Sequence, residues 1–187
     1  MNRKHVAIVM ALLMGLLAGC GLNVPTGQQQ YYRVDLQPDQ WGFEVDNTGQ
    51  IVIVGNVAQV LVAPGAPAGV LESVEVTYYD GDGNVLFEED PGYSGSLPVA
   101  IPEGIVCPDG TPTCTKATSD WSYGWARSDT FTFSMQGKVA VEMLNAYSEG
   151  RSILGWYAHV VFHARTTSGT PVQWAQDINI IYPLKAQ

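Results

Sequence analysis

Between Leu154 and Arg165 the chain alternates with a period of two. Leu154, Trp156, Ala158, Val160, Phe162 and Ala164 fall on one side, and Tyr157, His159, Val161, His163 and Arg165 on the other. Successive side chains of an extended chain point to opposite faces, so this stretch predicts a strand with one face in a core and one toward water. A strand cannot satisfy its own backbone, and a sheet with one apolar face needs a second layer to cover it.

The rest of the chain supplies that layer. Thr166–Thr170 predicts a hairpin turn leading to Val172, Trp174, Ile178, Ile180 and Tyr182. Tyr31–Leu36 and Trp41–Val45 are short candidate strands separated by a Pro-Asp turn, and Ile51–Val62 is long enough for one bent strand or two. Val70, Val74, Val76 and Tyr78 are expected on one face, with Ser73, Glu75 and Thr77 on the other. Phe131, Phe133 and Met135 form another apolar stripe. Val139–Tyr147 follows; its first part, Val139–Leu144, is ambiguous in period, and the β-branching of Val139 and Val141 predicts a strand there as well. The count is about eight to ten strands with turn signals between them, which predicts an all-β, immunoglobulin-like antiparallel sandwich. Hydrophobic residues at 46% and aromatic residues at 10% provide enough apolar surface for such a core and exclude a disordered chain. A net charge of −9 excludes a nucleic-acid binder that works by neutralising phosphates.

The N-terminus has a different character. Asn2-Arg3-Lys4-His5 is basic, and the apolar run Val6–Leu17 that follows is shorter than the roughly 20 residues a spanning helix needs. That pattern is an export signal, and Leu17-Ala18-Gly19-Cys20 at its end resembles the lipobox of bacterial lipoproteins. The resemblance implies a signal peptide over 1–19 and a Cys20 that carries diacylglycerol and becomes the first mature residue. It also implies a membrane held through that lipid, since two or more acyl chains anchor stably where one does not. Gly21 stands where an Asp would signal inner-membrane retention, so the outer membrane is favoured where one exists. Loss of Arg3 and Lys4 makes the mature chain more acidic still, so basic adsorption to anionic lipid contributes nothing to the anchoring. Residues 21–30 lack apolar periodicity and read as a flexible tether, leaving 31–187 as the sandwich domain.

Val74–Leu86, with Asp80-Gly81-Asp82-Gly83-Asn84 at its centre, resembles the hairpin of FxLYD-type and similar immunoglobulin-like domains of bacterial lipoproteins, over about residues 50–90. The likeness bears on fold and carries no activity. Residues 90–127 are dense in Pro and Gly and form an irregular insertion. It contains Cys107 and Cys114, which export would oxidise to a structural disulfide across the turn-rich segment between them. Such a closure is worth about 2.5 kcal/mol in the chain-entropy account. A redox pair or half of a metal site is the alternative, but the spacing is not C-x-x-C and no histidine or second cysteine pair is near.

Candidate chemistry is sparse. Asp80, Asp82 and Asn84 have the alternating oxygens that open a calcium loop, but the sixth and twelfth positions hold Val85 and Pro91 rather than Gly and Glu. A tight turn is preferred, and weak cation binding on an acidic rim is the alternative. His159 and His163 would share a metal on a helix, but on a strand they stand roughly 13 Å apart. Gly92-Tyr93-Ser94-Gly95-Ser96 lacks the last glycine of a nucleophile elbow, and Glu88/Glu89 has no sign of a cleft beside it. Trp121, Tyr123 and Trp125 share a face if extended, either pinned into the core, the preferred reading, or forming a platform for a protein or glycan. No cofactor is expected. The expectation is a lipid-anchored, non-catalytic binding or structural accessory of the cell envelope; a carbohydrate- or peptidoglycan-binding module and a hydrolase are the alternatives.

Overall fold

The computed structural model describes residues 31–87, 97–104 and 126–182. They form an all-β sandwich with one helix. In chain order the elements are β1 (Tyr32–Gln37), β2 (Trp41–Val45), β3 (Ile51–Ile53), β4 (Val57–Val62), β5 (Gly69–Tyr79), β6 (Val85–Phe87), β7 (Val99–Ile101), β8 (Ala126–Arg127), β9 (Phe131–Thr132), α1 (Gly137–Ser148), β10 (Tyr157–Thr166) and β11 (Pro171–Ile181). One sheet has four strands, with β4 between β1 on one side and β8 and β9 on the other. The second has seven, in the order β3-β2-β11-β10-β5, with β6 and β7 both pairing on the outer side of β5. All pairings are antiparallel except β2 with β11, which run parallel.

The alternating stretch is the middle of the larger sheet. Trp156, Ala158, Val160, Phe162 and Ala164 are buried, and the side chains between them face out. Leu154 does not join them: it is 81% exposed. The chain turns through Gly155, whose φ of 77° ends the alternation before β10 begins. Val70 is also exposed, against expectation, and Leu71 is buried in its place. The register between β5 and β10 shifts beside His163 and Ala164, leaving Glu72 as an extra residue on β5. One inserted residue moves every side chain beyond it to the other face. Ile51–Val62 resolves into two strands that belong to different sheets.

Val139–Tyr147 is helix, not strand. Val139, Ala140, Met143 and Ala146 are its buried residues, a helical spacing that outweighs the two β-branched valines. Ala140, Met143, Leu144 and Ala146 are better helix than strand formers. Its C-terminus is a Schellman motif: Arg151 N–H donates to Ala146 O at 2.8 Å and Gly150 N–H to Tyr147 O at 3.1 Å, with Gly150 at φ 73°. The stop signal is therefore the Gly-Arg pair just beyond the helix.

A chain of aromatic contacts crosses the core from one end to the other. Tyr78 meets Trp41 at 6.1 Å between ring centroids, Trp41 meets Phe133 at 5.1 Å, and Phe133 meets Phe162 at 5.8 Å. Phe162 stacks on Trp174 at 5.1 Å, and Trp174 meets Tyr32 at 5.4 Å. Trp41 and Phe133 are also hydrogen-bonded, the indole N–H donating to the Phe133 carbonyl at 2.9 Å. A second tie joins the sheets at Gln176 of β11. Its amide accepts from Val34 N–H at 3.2 Å and donates to Val34 O at 3.0 Å, occupying part of the open edge of β1.

Strand directions sort the connections into two poles. Tyr31, the 63–68 connection, Gly104, Ala126 and the 166–170 turn lie at one, stitched by Ala63 N–H to Tyr31 O at 2.8 Å, Thr167 N–H to Ala68 O at 2.9 Å and Gly104 N–H to Ala66 O at 2.9 Å. The 46–50 and 80–84 turns and α1 lie at the other.

Trp41 is fully buried, so Trp41→Ala is expected to cost about 3–5 kcal/mol. Trp41→Phe keeps most of the packing but strands the Phe133 carbonyl, at about 1–3 kcal/mol. Urea unfolding of the three proteins checks both values.

Candidate functional site

Among the described residues, the outward face of the seven-stranded sheet carries a row of paired polar side chains. His159 and His163 both point outward from β10, as the alternation predicts, and each meets a carboxylate from a different neighbouring strand. His159 lies directly between Thr77 of β5 and Asp177 of β11 in the ladder, and its Nδ1 is 2.7 Å from Asp177 Oδ1. His163 Nε2 is 3.2 Å from Glu75 Oε1, close enough for an ion pair but not aligned as a hydrogen bond. Arg165 continues the row, its Nε donating to Glu72 Oε1 at 3.0 Å. Tyr79 and Tyr157 close it at the other end, stacked at 4.9 Å with 7° between their planes.

Chemically this is a set of cross-strand pairs on an open face. Each such pair contributes about 0.2–1 kcal/mol. Asp177 can hold the His159 imidazole in one orientation, as the acid of a catalytic triad holds its histidine. Thr77 is the hydroxyl in register with that ring, and no hydrogen bond joins the two. Among the described residues no group of three or more His, Cys, Asp or Glu side chains converges to hold a metal ion.

Asp80, Asp82 and Asn84 form the tip of the β5–β6 hairpin. Asp80 Oδ1 accepts from Asp82 N–H at 2.9 Å and Asn84 N–H at 2.8 Å, and Asp80 Oδ2 accepts from the Asn84 amide at 2.9 Å. Both carboxylate oxygens are thus engaged within the turn. Gly83 adopts φ 83°, and a Cβ on Gly81 would stand 2.0 Å from the Leu154 carbonyl oxygen, so the turn needs both glycines.

The same device recurs. Asp46 Oδ1 accepts from Thr48 and Gln50 N–H and from the Thr48 hydroxyl, with Gly49 at φ 82°. At the β10–β11 hairpin a hydroxyl takes the acid's place: Thr166 Oγ1 accepts from Thr170 N–H at 3.0 Å, and Gly169 is at φ 85°. These hydrogen bonds hold the Asp80 and Asp46 carboxyls below the usual carboxylate range, the Asn84 and Thr48 side chains being the largest contributors. The shared pattern is a polar acceptor followed three residues later by glycine, a signal readable in sequence at all three hairpins.

Cys20, Cys107, Cys114, Trp121, Tyr123 and Trp125 lie outside the described residues, as do Glu88, Glu89 and the Gly92–Ser96 stretch. Among the described residues no helix is long and apolar enough to cross a membrane.

No protein-family model matches the chain, and no curated protein matches it. Among solved structures it is similar to one described as the X-ray structure of Northeast Structural Genomics Consortium target SoR45. The two are 10% identical over 86% of this chain and 95% of that one, with a TM-score of 0.41.

A carboxyl held low in the folded state stabilises it above the unfolded-state value near 3.9, and that contribution is lost as pH falls through the folded-state value. Asp80→Asn keeps an acceptor oxygen but cannot be protonated in this range. The variant is expected to lose less stability between pH 5 and 2 than the parent, as about these limits bracket carboxylate titration. Thermal unfolding at stepped pH measures the difference.

Proposed function

We propose that this chain is an exported lipoprotein, anchored through lipid on Cys20, whose β-sandwich serves as a non-catalytic binding or structural accessory to other proteins of the cell envelope. The observation that carries the reading is the N-terminal succession of a basic stretch, the apolar run Val6–Leu17 and the lipobox-like Leu17-Ala18-Gly19-Cys20. One further feature supports it. On the outward sheet face His159, His163 and Arg165 each meet a carboxylate of a neighbouring strand, as suits a stable docking body.

The accessory role draws on the character of the domain. A rigid sandwich with an acidic surface and a lipid tether is suited to holding a partner at the membrane, and the partner class is an envelope protein.

Cys20 is the only acceptor the proposal allows. Cells fed a clickable fatty acid are expected to label the wild-type protein and to leave Cys20→Ser at background. Equal labelling of the two, or labelling of neither, would overturn the anchor. Purification of the native protein in mild detergent tests the accessory role. Recovery with an envelope protein supports it, and recovery of the monomer alone counts against it.

A further inference from the structure

We propose that the open edge of β11 between Val172 and Ile178 docks an extended segment of the partner protein as an added strand, with a basic side chain of that segment beside Asp177. The site rests on the accessory reading above and specifies where and how the partner is held.

The edge follows from the ladder. Ile180 N–H donates to Trp156 O at 2.9 Å, and Thr166 N–H donates to Thr170 O at 2.9 Å. The β10–β11 register is constant between these two pairs. Opposed residues in an antiparallel ladder alternate between hydrogen-bonded and non-hydrogen-bonded pairs, so the even-numbered residues of β11 turn their N–H and C=O groups toward β10. Gln173, Ala175 and Asp177 turn theirs the other way. On that side β2 joins β11 only at Ile180 and Ile181. Among the described residues nothing hydrogen-bonds the backbone of Gln173, Ala175 or Asp177, and all three are exposed.

A row of unpaired N–H and C=O groups is a template for another strand. Two other edges are closed or short by comparison. β1 gives its edge to the Gln176 amide at Val34, and Tyr32, Val34 and Leu36 are buried there. β3 spans three residues, too few to hold a strand by backbone bonds alone.

The occupant is a segment of another protein and not a second β11. Two copies of this edge related by a two-fold axis would have to bond each of the three residues to one of the same three. Only a register centred on Ala175 does so. That register sets Thr170 opposite Ile180 of the other copy, the ladder position that Trp41 already fills. An extended segment with no hairpin attached can end before Trp41. Asp177 sets its chemistry. The Asp177 side chain is 62% exposed, with Oδ1 on His159 and, among the described residues, no hydrogen bond at Oδ2. A lysine or arginine opposite or diagonal to it on the added strand is within reach. The net charge of −9 favours the same basic segment during encounter.

The test begins with amide hydrogen exchange on the isolated full-length protein in detergent. The amides of Gln173, Ala175 and Asp177 are expected to exchange on the order of a hundredfold faster than those of Trp174, Gln176 and Ile178. Equally slow exchange at all of them means that the edge is already covered, and overturns the site. Native purification in mild detergent then compares the parent with Ala175→Pro and Asp177→Lys. The proline removes an N–H that bonds nothing within the chain, a position where an edge strand accepts it. The lysine reverses the charge at an exposed position and guards against a fold defect in the proline variant. Each variant is expected to recover several-fold less of the envelope protein that the parent brings down. Parent-level recovery by either variant, with thermal unfolding unchanged, overturns the docking edge and leaves the accessory reading standing. A parent that brings down no envelope protein overturns the accessory reading and the site with it.

Discussion

The sandwich depends on how its two unequal sheets are held together, and the Trp41 indole is where that happens most directly. Its ring lies between Tyr78 and Phe133, and its N–H is satisfied by the Phe133 carbonyl at 2.9 Å. Trp41 belongs to the larger sheet, and Phe133 directly follows β9 of the smaller. One residue thus packs the interface and satisfies a buried backbone group. From there the aromatic contacts continue through Phe162 and Trp174 to Tyr32, so the start of β1 is linked to the far pole through continuous packing. Removing the indole loosens that link at its hydrogen-bonded point, which is why packing and polar loss add there.

Most of the sheet architecture was legible because period-two alternation is a direct consequence of strand geometry. β10 and β11 are the clearest cases, and Trp41–Val45 matches β2 residue for residue. The failures have physical reasons. Val70 and Leu71 exchange faces because of a bulge, and a one-residue slip leaves no mark in the composition of a strand. α1 was obscured by two β-branched residues, although the spacing of Val139, Met143 and Ala146 and the glycine at 150 carry the helical signal. Leu154 is apolar and in phase, but Gly155 bends the chain before the sheet begins, so phase alone placed it on the wrong side.

The candidate sites divide in a similar way. The turn chemistry of Asp80-Gly81-Asp82-Gly83-Asn84 was legible because the Asp oxygens and a positive-φ glycine have a defined local use. Its recurrence at Asp46 and Thr166 needed the three hairpins to be compared. The acid partners of His159 and His163 were not legible. Asp177 is 18 residues from His159 in the chain, and only the ladder register brings them together. The same registers gather Asp46, Asp80 and Asp82 at one end of the described residues, a clustering that a net charge of −9 does not reveal.

The proposed anchoring requires lipid on Cys20. Mass spectrometry of the N-terminal peptide from protein isolated with its native membrane tests that most directly. The account predicts a peptide that starts at Cys20 and bears a thioether-linked diacylglycerol. An unmodified Cys20, or a mature N-terminus at any other residue, would contradict it.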